Sequence, residues 1–337
     1  MKKILVFCIV ICLVSVSPLS ILAQSNATDY SEYDLIEYDY VNKTERIISV
    51  DEMYDYSAVT STTYELSNMA SYLENNASEE ASTFNIIDPN ASFDKTSPTD
   101  SNGNPVAPYS GVMYLMIGVN MDFDSDGIVD MYVADYSQGT GFLVAPDVLV
   151  TAAHCICLEE HELASVRVYY YHHRAIAPSA TYSTDYVYPS QWVYSTAYSN
   201  NFVTDKATAS KYDWCVMKLQ EDIVGAYNFS CTYNSVQLND AVSLSGYPRC
   251  ELIDCGNDCG HINNGYQITS TGTVTEIDAY NLKYTNNSRS GHSGGPIYYT
   301  NSNVCVAIHS ATGTTYTKGV LISNSIYNVI AEYIQME

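Results

Sequence analysis

The segment "SGHSGGPIYY", from Ser290 to Tyr299, places Ser293 between Gly291 and a pair of glycines. Glycine and serine are common in tight turns, so a plain turn before an apolar strand is one explanation. The other is a nucleophile loop, in which glycines let backbone N–H groups face an oxyanion while the serine side chain points at substrate. A serine nucleophile needs a general base, and the base needs an orienting group. The rest of the chain must supply both.

Two other segments offer a base and a carboxylate. His154 follows an apolar run and two alanines in "VLVTAAHCIC", and these small residues leave room for the imidazole to turn into a cleft. Asp213 precedes an apolar run in "SKYDWCVMKL", where a carboxylate beside Trp214 would be partly buried and would need a partner. Taken singly, such a histidine is more often a surface or core residue, and such an aspartate a turn residue. Their order in the chain with Ser293 favours a catalytic set.

The segments "TAAHC", "YDWCVMKL" and "GHSGGP" resemble the three catalytic motifs of chymotrypsin-like serine peptidases in order, flanks and spacing. The resemblance covers roughly residues 108–337. It implies an all-β fold of two six-stranded antiparallel β-barrels, with the site in the cleft between them, and a C-terminal helix. It also implies a triad of His154, Asp213 and Ser293, with the backbone N–H groups of Gly291 and Ser293 as oxyanion hole. We expect His292 to face solvent from this loop.

The residues near the nucleophile indicate a substrate class. Trypsin-like pockets carry an aspartate six residues before the serine, and Asn287 stands there, which argues against a pocket for Lys or Arg. Ser288 follows it, and His309 lies in "VCVAIHSATG", on the strand expected to line the pocket. Together with "SGYP" and "AIHSATGTTYTKGVLIS", these residues resemble bacterial glutamyl endopeptidases, and Thr312 could add a hydroxyl. A carboxylate entering such a pocket must be paired or hydrogen-bonded, so we expect cleavage after Glu, with Asp as the alternative.

The same resemblance implies that the protein is made as a zymogen. Mature relatives often begin like Val-Ile after an Asn, and "TFNIIDPNASFDK" offers Asn85–Ile86. The freed amine of Ile86 would then approach the pocket. Two alternatives remain, a chymotrypsin-like peptidase of other specificity and a non-catalytic binding module that keeps the fold. Degenerate relatives usually lose the serine or the histidine, whereas this chain has all three triad residues.

The first residues, "MKKILVFCIVICLVSVSPLSILAQS", combine two lysines with an apolar run that Pro18 ends, so residues 1–23 are predicted to be a signal peptide. Residues 24–85 are acidic and read as a propeptide, with a short helix near Tyr64–Leu73; a solvated disordered arm is the alternative. Residues 86–337 would be the mature, extracellular peptidase. The formal net charge of −24 disfavours nucleic acid and anionic membranes. We expect peptide or protein substrates, an activating protease and a monomer.

From about residue 108, short apolar or alternating runs are separated by turn residues, the pattern of an all-β barrel or sandwich. We assign the N-terminal barrel to about 108–225 and the C-terminal barrel to about 235–322. The segment 323–336 is the exception, because Ile326, Val329, Ile330 and Tyr333 follow helical spacing. Ser323 or Asn324 would cap this helix.

Eight cysteines follow the predicted signal peptide, an even number that permits disulfides in an exported protein. The partner of Cys155 is left open, because the preceding strand, "SQGTGFLV", has no cysteine, and Cys215 is expected to be a free core thiol. A zinc site is the competing interpretation for one group of residues, Cys250, Cys255, Cys259 and His261.

The acidic segment "DFDSDGIVD" resembles a calcium loop, with oxygen ligands at Asp122, Asp124, Asp126 and Asp130. The glutamate that such loops carry at position 12 is missing. We therefore favour an acidic turn between two strands and keep calcium as the alternative. The triad chemistry itself requires no cofactor.

Overall fold

The computed structural model describes residues 34–48, 95–96, 98, 100–101, 104–123, 128–158, 162–170, 185–233, 235–248, 267–312 and 316–336. Several of the predictions above concern residues outside this part of the chain: the signal peptide, the Tyr64–Leu73 helix, Ile86, the proposed zinc ligands, Asp124 and Asp126. They stay predictions.

The first sheet has nine strands in the order β2-β1-β9-β10-β6-β5-β4-β7-β8, and all its pairings are antiparallel. Six consecutive members, from β9 to β7 in that order, come from the segment assigned to the N-terminal barrel. The strands are β1 (Leu35–Asp39), β2 (Thr44–Ile48), β4 (Val112–Met121), β5 (Met131–Ala145), β6 (Val148–Thr151), β7 (Glu162–Tyr169), β8 (Tyr186–Val187), β9 (Pro189–Ser195) and β10 (Cys215–Leu219).

The second sheet has the order β11-β14-β15-β16-β13-β12-β3, and a further pairing of β11 with β12 closes six of these strands into a barrel. Its strands are β3 (Lys95–Thr96), β11 (Ala241–Gly246), β12 (Ile268–Ile277), β13 (Asn281–Tyr284), β14 (Pro296–Tyr299), β15 (Cys305–Thr312) and β16 (Thr317–Leu321).

Three α-helices complete the described structure: α1 (Thr196–Asn201), α2 (Lys206–Ala209) and α3 (Asn324–Gln335). Ser323 caps α3, since its hydroxyl accepts a hydrogen bond from the Ile326 N–H at 3.2 Å. The four residues on the predicted apolar face of α3 are all buried. None of the helices among the described residues is long and apolar enough to cross a membrane. The prediction of an all-β fold of two six-stranded antiparallel barrels with a C-terminal helix is confirmed: the second sheet closes six strands into a barrel, and six strands of the first sheet form one antiparallel series.

Part of the acidic N-terminal segment lies in the first sheet. β1 and β2 form a hairpin whose turn is fixed by the Asn42 N–H, which donates to Asp39 Oδ1 at 2.9 Å. Leu35 and Ile36 are each 6% exposed. The alternative of a solvated arm therefore does not hold for residues 34–48, where ordered strand pairing replaces it.

Candidate active site

His154 and Asp213 meet because the ends of two neighbouring strands meet. His154 lies in a short 3₁₀ turn directly after β6, and Asp213 directly precedes β10. β6 and β10 are antiparallel, with Thr151 opposite Cys215, so the end of one strand lies beside the start of the other. His154 Nδ1 lies 2.7 Å from Asp213 Oδ2, and the His154 backbone N–H donates to Oδ1 at 2.9 Å.

This pair is electrostatically coupled. Asp213 is 3% exposed, whereas the His154 side chain is 34% exposed. Burial works against the charged imidazole, but the Asp213 charge and its hydrogen bond outweigh burial and raise the pKa of His154. Burial likewise works against the carboxylate, but His154 and Ser310 outweigh it and hold the pKa of Asp213 below its usual value. The carboxylate therefore stays ionised and keeps the imidazole oriented.

Ser310 is a site residue that the sequence interpretation missed. Its hydroxyl donates to Asp213 Oδ2. The pairing of β15 with β16 shifts register between His309 and Ala311, which makes Ser310 the extra residue of a bulge. Bulges redirect side chains, and this one lets the Ser310 hydroxyl reach Asp213. In the sequence, the only sign of this contact is that a serine directly follows His309.

The nucleophile loop has the backbone that its glycines permit. Gly291 has φ +96° and Gly294 has φ +83°, values that favour glycine. At Gly294 the space is also closed, because a Cβ would lie 2.1 Å from Thr151 Oγ1 and 2.2 Å from Thr140 O. The loop thus packs tightly against β5 and β6 of the first sheet, which also carry the chain toward His154.

Thr140 of β5 and Cys155 bind this loop from the first sheet. The Thr140 N–H donates to Ser293 O at 2.7 Å, and the Thr140 hydroxyl donates to Gly291 O at 2.7 Å. The Cys155 thiol donates to the same Ser293 carbonyl at 3.5 Å, and burial raises the pKa of this thiol to about 12. Cys155 is free, with its sulfur packed against Gly139, where a Cβ would come within 2.8 Å. Cys155 therefore forms no disulfide, which settles the question that the sequence left open, and the prediction of a free Cys215 is also confirmed.

The pocket residues are joined to the nucleophile loop through β15. The Gly294 N–H donates to His309 O at 2.7 Å, and the His309 N–H donates to Gly295 O at 2.9 Å. The hydroxyls of Ser288 and Thr312 are hydrogen-bonded to each other. The structure therefore brings Ser288 and Thr312 together and joins the backbone of His309 to the nucleophile loop.

His309 is buried, with 1% of its surface exposed, and its Nδ1 lies 2.7 Å from the Tyr284 hydroxyl. Burial, together with the nearby His292 and His154, holds the pKa of His309 well below its usual value, so the imidazole is neutral at pH 7. The sequence suggested that a protonated His309 could donate to the substrate, and it gave no sign of the contact with Tyr284.

The expectation that His292 faces solvent is wrong. Its side chain is fully buried, its ring packs edge-on to His309 with centroids 6.3 Å apart, and its Nδ1 accepts a hydrogen bond from the Arg289 N–H at 3.1 Å. Burial lowers the pKa of His292 to about 4. A polar residue in a glycine-rich loop is usually exposed, whereas the His292 ring packs against His309 of β15 and lies close to Gly246 of β11.

The calcium alternative concerns residues that are only partly described. Asp130 Oδ2 accepts a hydrogen bond from the Phe123 N–H at 2.8 Å, which fits an acidic turn. Within the described ranges, no group of three or more His, Cys, Asp or Glu side chains is arranged to hold a metal. The calcium site stays a prediction.

Residues 139–308, half of the chain, match the family described as "Trypsin-like peptidase domain". The chain belongs to this family. The resemblance to chymotrypsin-like serine peptidases, drawn above from three short motifs, is thereby confirmed. The matched residues include the His154 turn, the Asp213 strand end and the Ser293 loop.

Two curated relatives come from Bacillus. An extracellular metalloprotease of Bacillus subtilis is 29% identical over 201 residues, which are 57% of this chain and 56% of that protein. A glutamyl endopeptidase of Bacillus licheniformis is 26% identical over 214 residues, 58% of each chain. The match thus spans less than three fifths of either relative. The solved structure of a Glu endopeptidase in complex with MPD has TM-score 0.51 at 22% identity, covers 72% of this chain and 96% of that one, and supports the fold.

Proposed function

We propose that this chain is a secreted serine endopeptidase that hydrolyses peptide bonds after Glu, and secondarily after Asp. The hydrogen-bonded pair of His154 and Asp213 carries the proposal, because an imidazole oriented by a buried carboxylate is the base that a serine nucleophile needs. The loop that holds Ser293 is bound to the same sheet as this pair. Residues 1–23 would direct export, and a Bacillus relative is called extracellular.

In this mechanism, Ser293 Oγ forms a bond to the scissile carbonyl carbon while its proton passes to Nε2 of His154. The carbonyl electron pair moves to oxygen, where the N–H groups of Gly291 and Ser293 bind it, an effect worth about 3 kcal/mol per donor. Collapse breaks the C–N bond, and His154 gives its proton to the leaving amine. Water then attacks the acyl-enzyme by the same route and restores Ser293. Asp213 keeps the proton on Nδ1 throughout and stabilises the imidazolium.

The preference for Glu is attributed to Ser288, Thr312 and His309. One hydroxyl of the hydrogen-bonded Ser288–Thr312 pair donates to the other, so this pair and one neutral imidazole can donate two hydrogen bonds to a carboxylate without burying a fixed cation in the free enzyme. A bound carboxylate would also raise the pKa of His309, since an opposite charge favours the protonated imidazole and strengthens its hydrogen bond.

Cleavage after Asn85 completes the proposal. It would release the amine of Ile86, whose positive charge adds to the pocket, so that the precursor binds the substrate carboxylate poorly. A zymogen and an activating protease follow from this arrangement.

The proposal is tested with matched peptides that place Glu, Asp, Gln, Lys or Phe before the scissile bond. We expect the protein cleaved after Asn85, with its N-terminal part still present, to cut the Glu peptide far faster than the Gln peptide, its neutral isostere, and Ser293→Ala to be folded and inactive. His309→Ala should lose the Glu preference more than it loses turnover, and one extra residue before Ile86 should leave little activity.

Each part of the proposal has its own contrary result. Full activity in a folded Ser293→Ala protein would remove the triad assignment. Equal rates for Glu and Gln would remove the acid pocket, and an undiminished rate in the extended chain would remove the role of the amine.

A further inference from the structure

The β9 edge of the first sheet is occupied by a segment that the sequence assigns to the propeptide. β1 pairs with β9 along its whole length, from Leu35 to Asp39. The ladder continues into the turn, where the Tyr40 N–H donates to Ser190 O at 2.8 Å. Five paired residues and a continued ladder are the features of an ordinary internal strand.

The first two residues of β1 are buried, and they lie on opposite faces of the strand. Leu35 belongs to the apolar cluster that includes Ile330 and Tyr333 of α3, whereas Ile36 belongs to the cluster inside the first sheet, with Val166. Successive side chains of a strand point to opposite faces, so two neighbouring buried residues require cover on both sides. β1 has this cover, and β2 outside it is exposed at four of its five residues.

The hairpin also reaches the other end of the six-strand series. Tyr38 stacks on Trp192 of β9 with ring centroids 4.6 Å apart. Tyr40, like Tyr38, packs against the apolar cluster that contains Val166 of β7. In the second barrel, the first and last strands of the ring pair directly. In the first sheet, the described strands show no ladder between β9 and β7, and the hairpin pairs with the β9 edge instead.

We propose that residues 34–48 are a lasting structural part of the first barrel and stay bound, without a covalent link, after the chain is cut between the hairpin and β4. The partner of the β9 edge is thus a segment of this same chain. Without it, β9 presents unpaired N–H and C=O groups beside Trp192, the kind of edge that proteins cover. The inference does not depend on peptidase activity.

The test uses the full chain with Ser293→Ala, to prevent self-digestion, and a recognition site for a sequence-specific protease inserted between residues 75 and 76. After complete cutting, size-exclusion chromatography and mass spectrometry of the peaks show whether the N-terminal fragment elutes with the remainder. We expect co-elution. Ile36→Asp should release the fragment, whereas the matched control Ile47→Asp, at a site 65% exposed on β2, should retain it.

Co-elution lost only with Ile36→Asp supports the proposal. A fragment that elutes apart from a folded remainder in the parent chain would overturn it, as would equal retention in both variants. Should Ile36→Asp fail to fold, hydrogen exchange of the uncut parent chain decides. Amides of β1 protected as strongly as those of β10 support the inference, and amides that exchange as fast as the exposed β2 amides overturn it.

Discussion

Asp213 accepts hydrogen bonds from three donors: the His154 backbone, the His154 ring and the Ser310 hydroxyl. Each favours the ionised carboxylate, which at 3% exposure would otherwise be costly to bury. One donor is the base itself, and the other two fix the carboxylate to different elements. The orientation of the imidazole is therefore set by two strand ends and one bulge rather than by a single contact.

The contact of Tyr284 with His309 determines which nitrogen of the His309 ring carries the proton. A neutral imidazole has one donor and one acceptor nitrogen. If the Tyr284 hydroxyl donates to Nδ1, then Nε2 carries the proton and can donate to the substrate carboxylate. We expect Tyr284→Phe to lower the ratio of kcat/KM for Glu over Gln about 10- to 150-fold, since a hydrogen bond to a charged group is worth about 1.5–3 kcal/mol. The change should lie mainly in KM.

Tyr298→Phe is the matched control. Tyr298 is also buried in the second barrel, and its hydroxyl lies 2.8 Å from Ser245 Oγ. It should leave the Glu to Gln ratio unchanged. Steady-state kinetics on the paired peptides measure both variants, and equal ratios in Tyr284→Phe and Tyr298→Phe would show that Tyr284 does not control the pocket.

At the scale of elements, β5 joins the base to the nucleophile loop. The Thr140 hydroxyl donates to Gly291 O and accepts the Tyr247 N–H at 3.0 Å, so one side chain links β5 to two segments of the second barrel. We expect Thr140→Val to lower kcat about 10- to 100-fold with a smaller change in KM, because the oxyanion donors move with the Gly291 peptide. Thr140→Ser should restore most of the activity.

If Thr140→Val lowered kcat only by destabilising the fold, the same substitution at another buried threonine would lower kcat to a similar extent. Thr269→Val tests this, since Thr269 is buried in the second barrel with its hydroxyl 2.7 Å from Ser245 Oγ. We expect a comparable loss in unfolding free energy with kcat preserved. A kcat loss of the same size in both variants would contradict a positioning role for Thr140.

The sequence predicted the strands whose apolar character is local. β4, β6, β10, β14 and β15 are short apolar runs bounded by turn residues, and α3 shows helical spacing with a serine cap. It did not predict β1 and β2. Only the first two residues of β1 are buried, and the acidic residues around them leave no apolar run or alternating pattern that would indicate a strand. The sequence did not predict β9 either. This strand begins with Pro189, and one of its two neighbours is β1, a segment that is distant in the sequence.

The same distinction holds for the site. The pairing of His154 with Asp213 could be predicted, because each residue lies in a short recognisable motif at the end of an apolar strand. The contacts of Ser310, Tyr284, Thr140 and His292 depend on a bulge, a register and the packing of one sheet on the other. These are long-range consequences of the fold, and a local sequence window contains no signal for them beyond the residue type.

At the scale of the whole molecule, two buried neutral histidines make folding sensitive to acid. In the unfolded chain a histidine titrates near 6.5, whereas His292 titrates near 4 when folded and His309 also well below its usual value. Between these pH values the unfolded chain binds protons that the folded chain excludes, so stability falls as pH falls. His154 has the opposite sign. Its raised pKa contributes stability below the unfolded pKa that is lost as pH rises through the folded one.

His292→Asn removes one of the two acid-sensitive groups, and the asparagine oxygen can still accept the Arg289 N–H. The formal charge at neutral pH is unchanged, so the self-repulsion of a chain at −24 cancels in the comparison. From pH 7 to pH 5, we expect the parent to lose about 2 kcal/mol more unfolding free energy than the variant. Urea unfolding of both proteins in a Ser293→Ala background measures this. Equal losses would mean that His292 is protonated, or reached by solvent, in the folded protein.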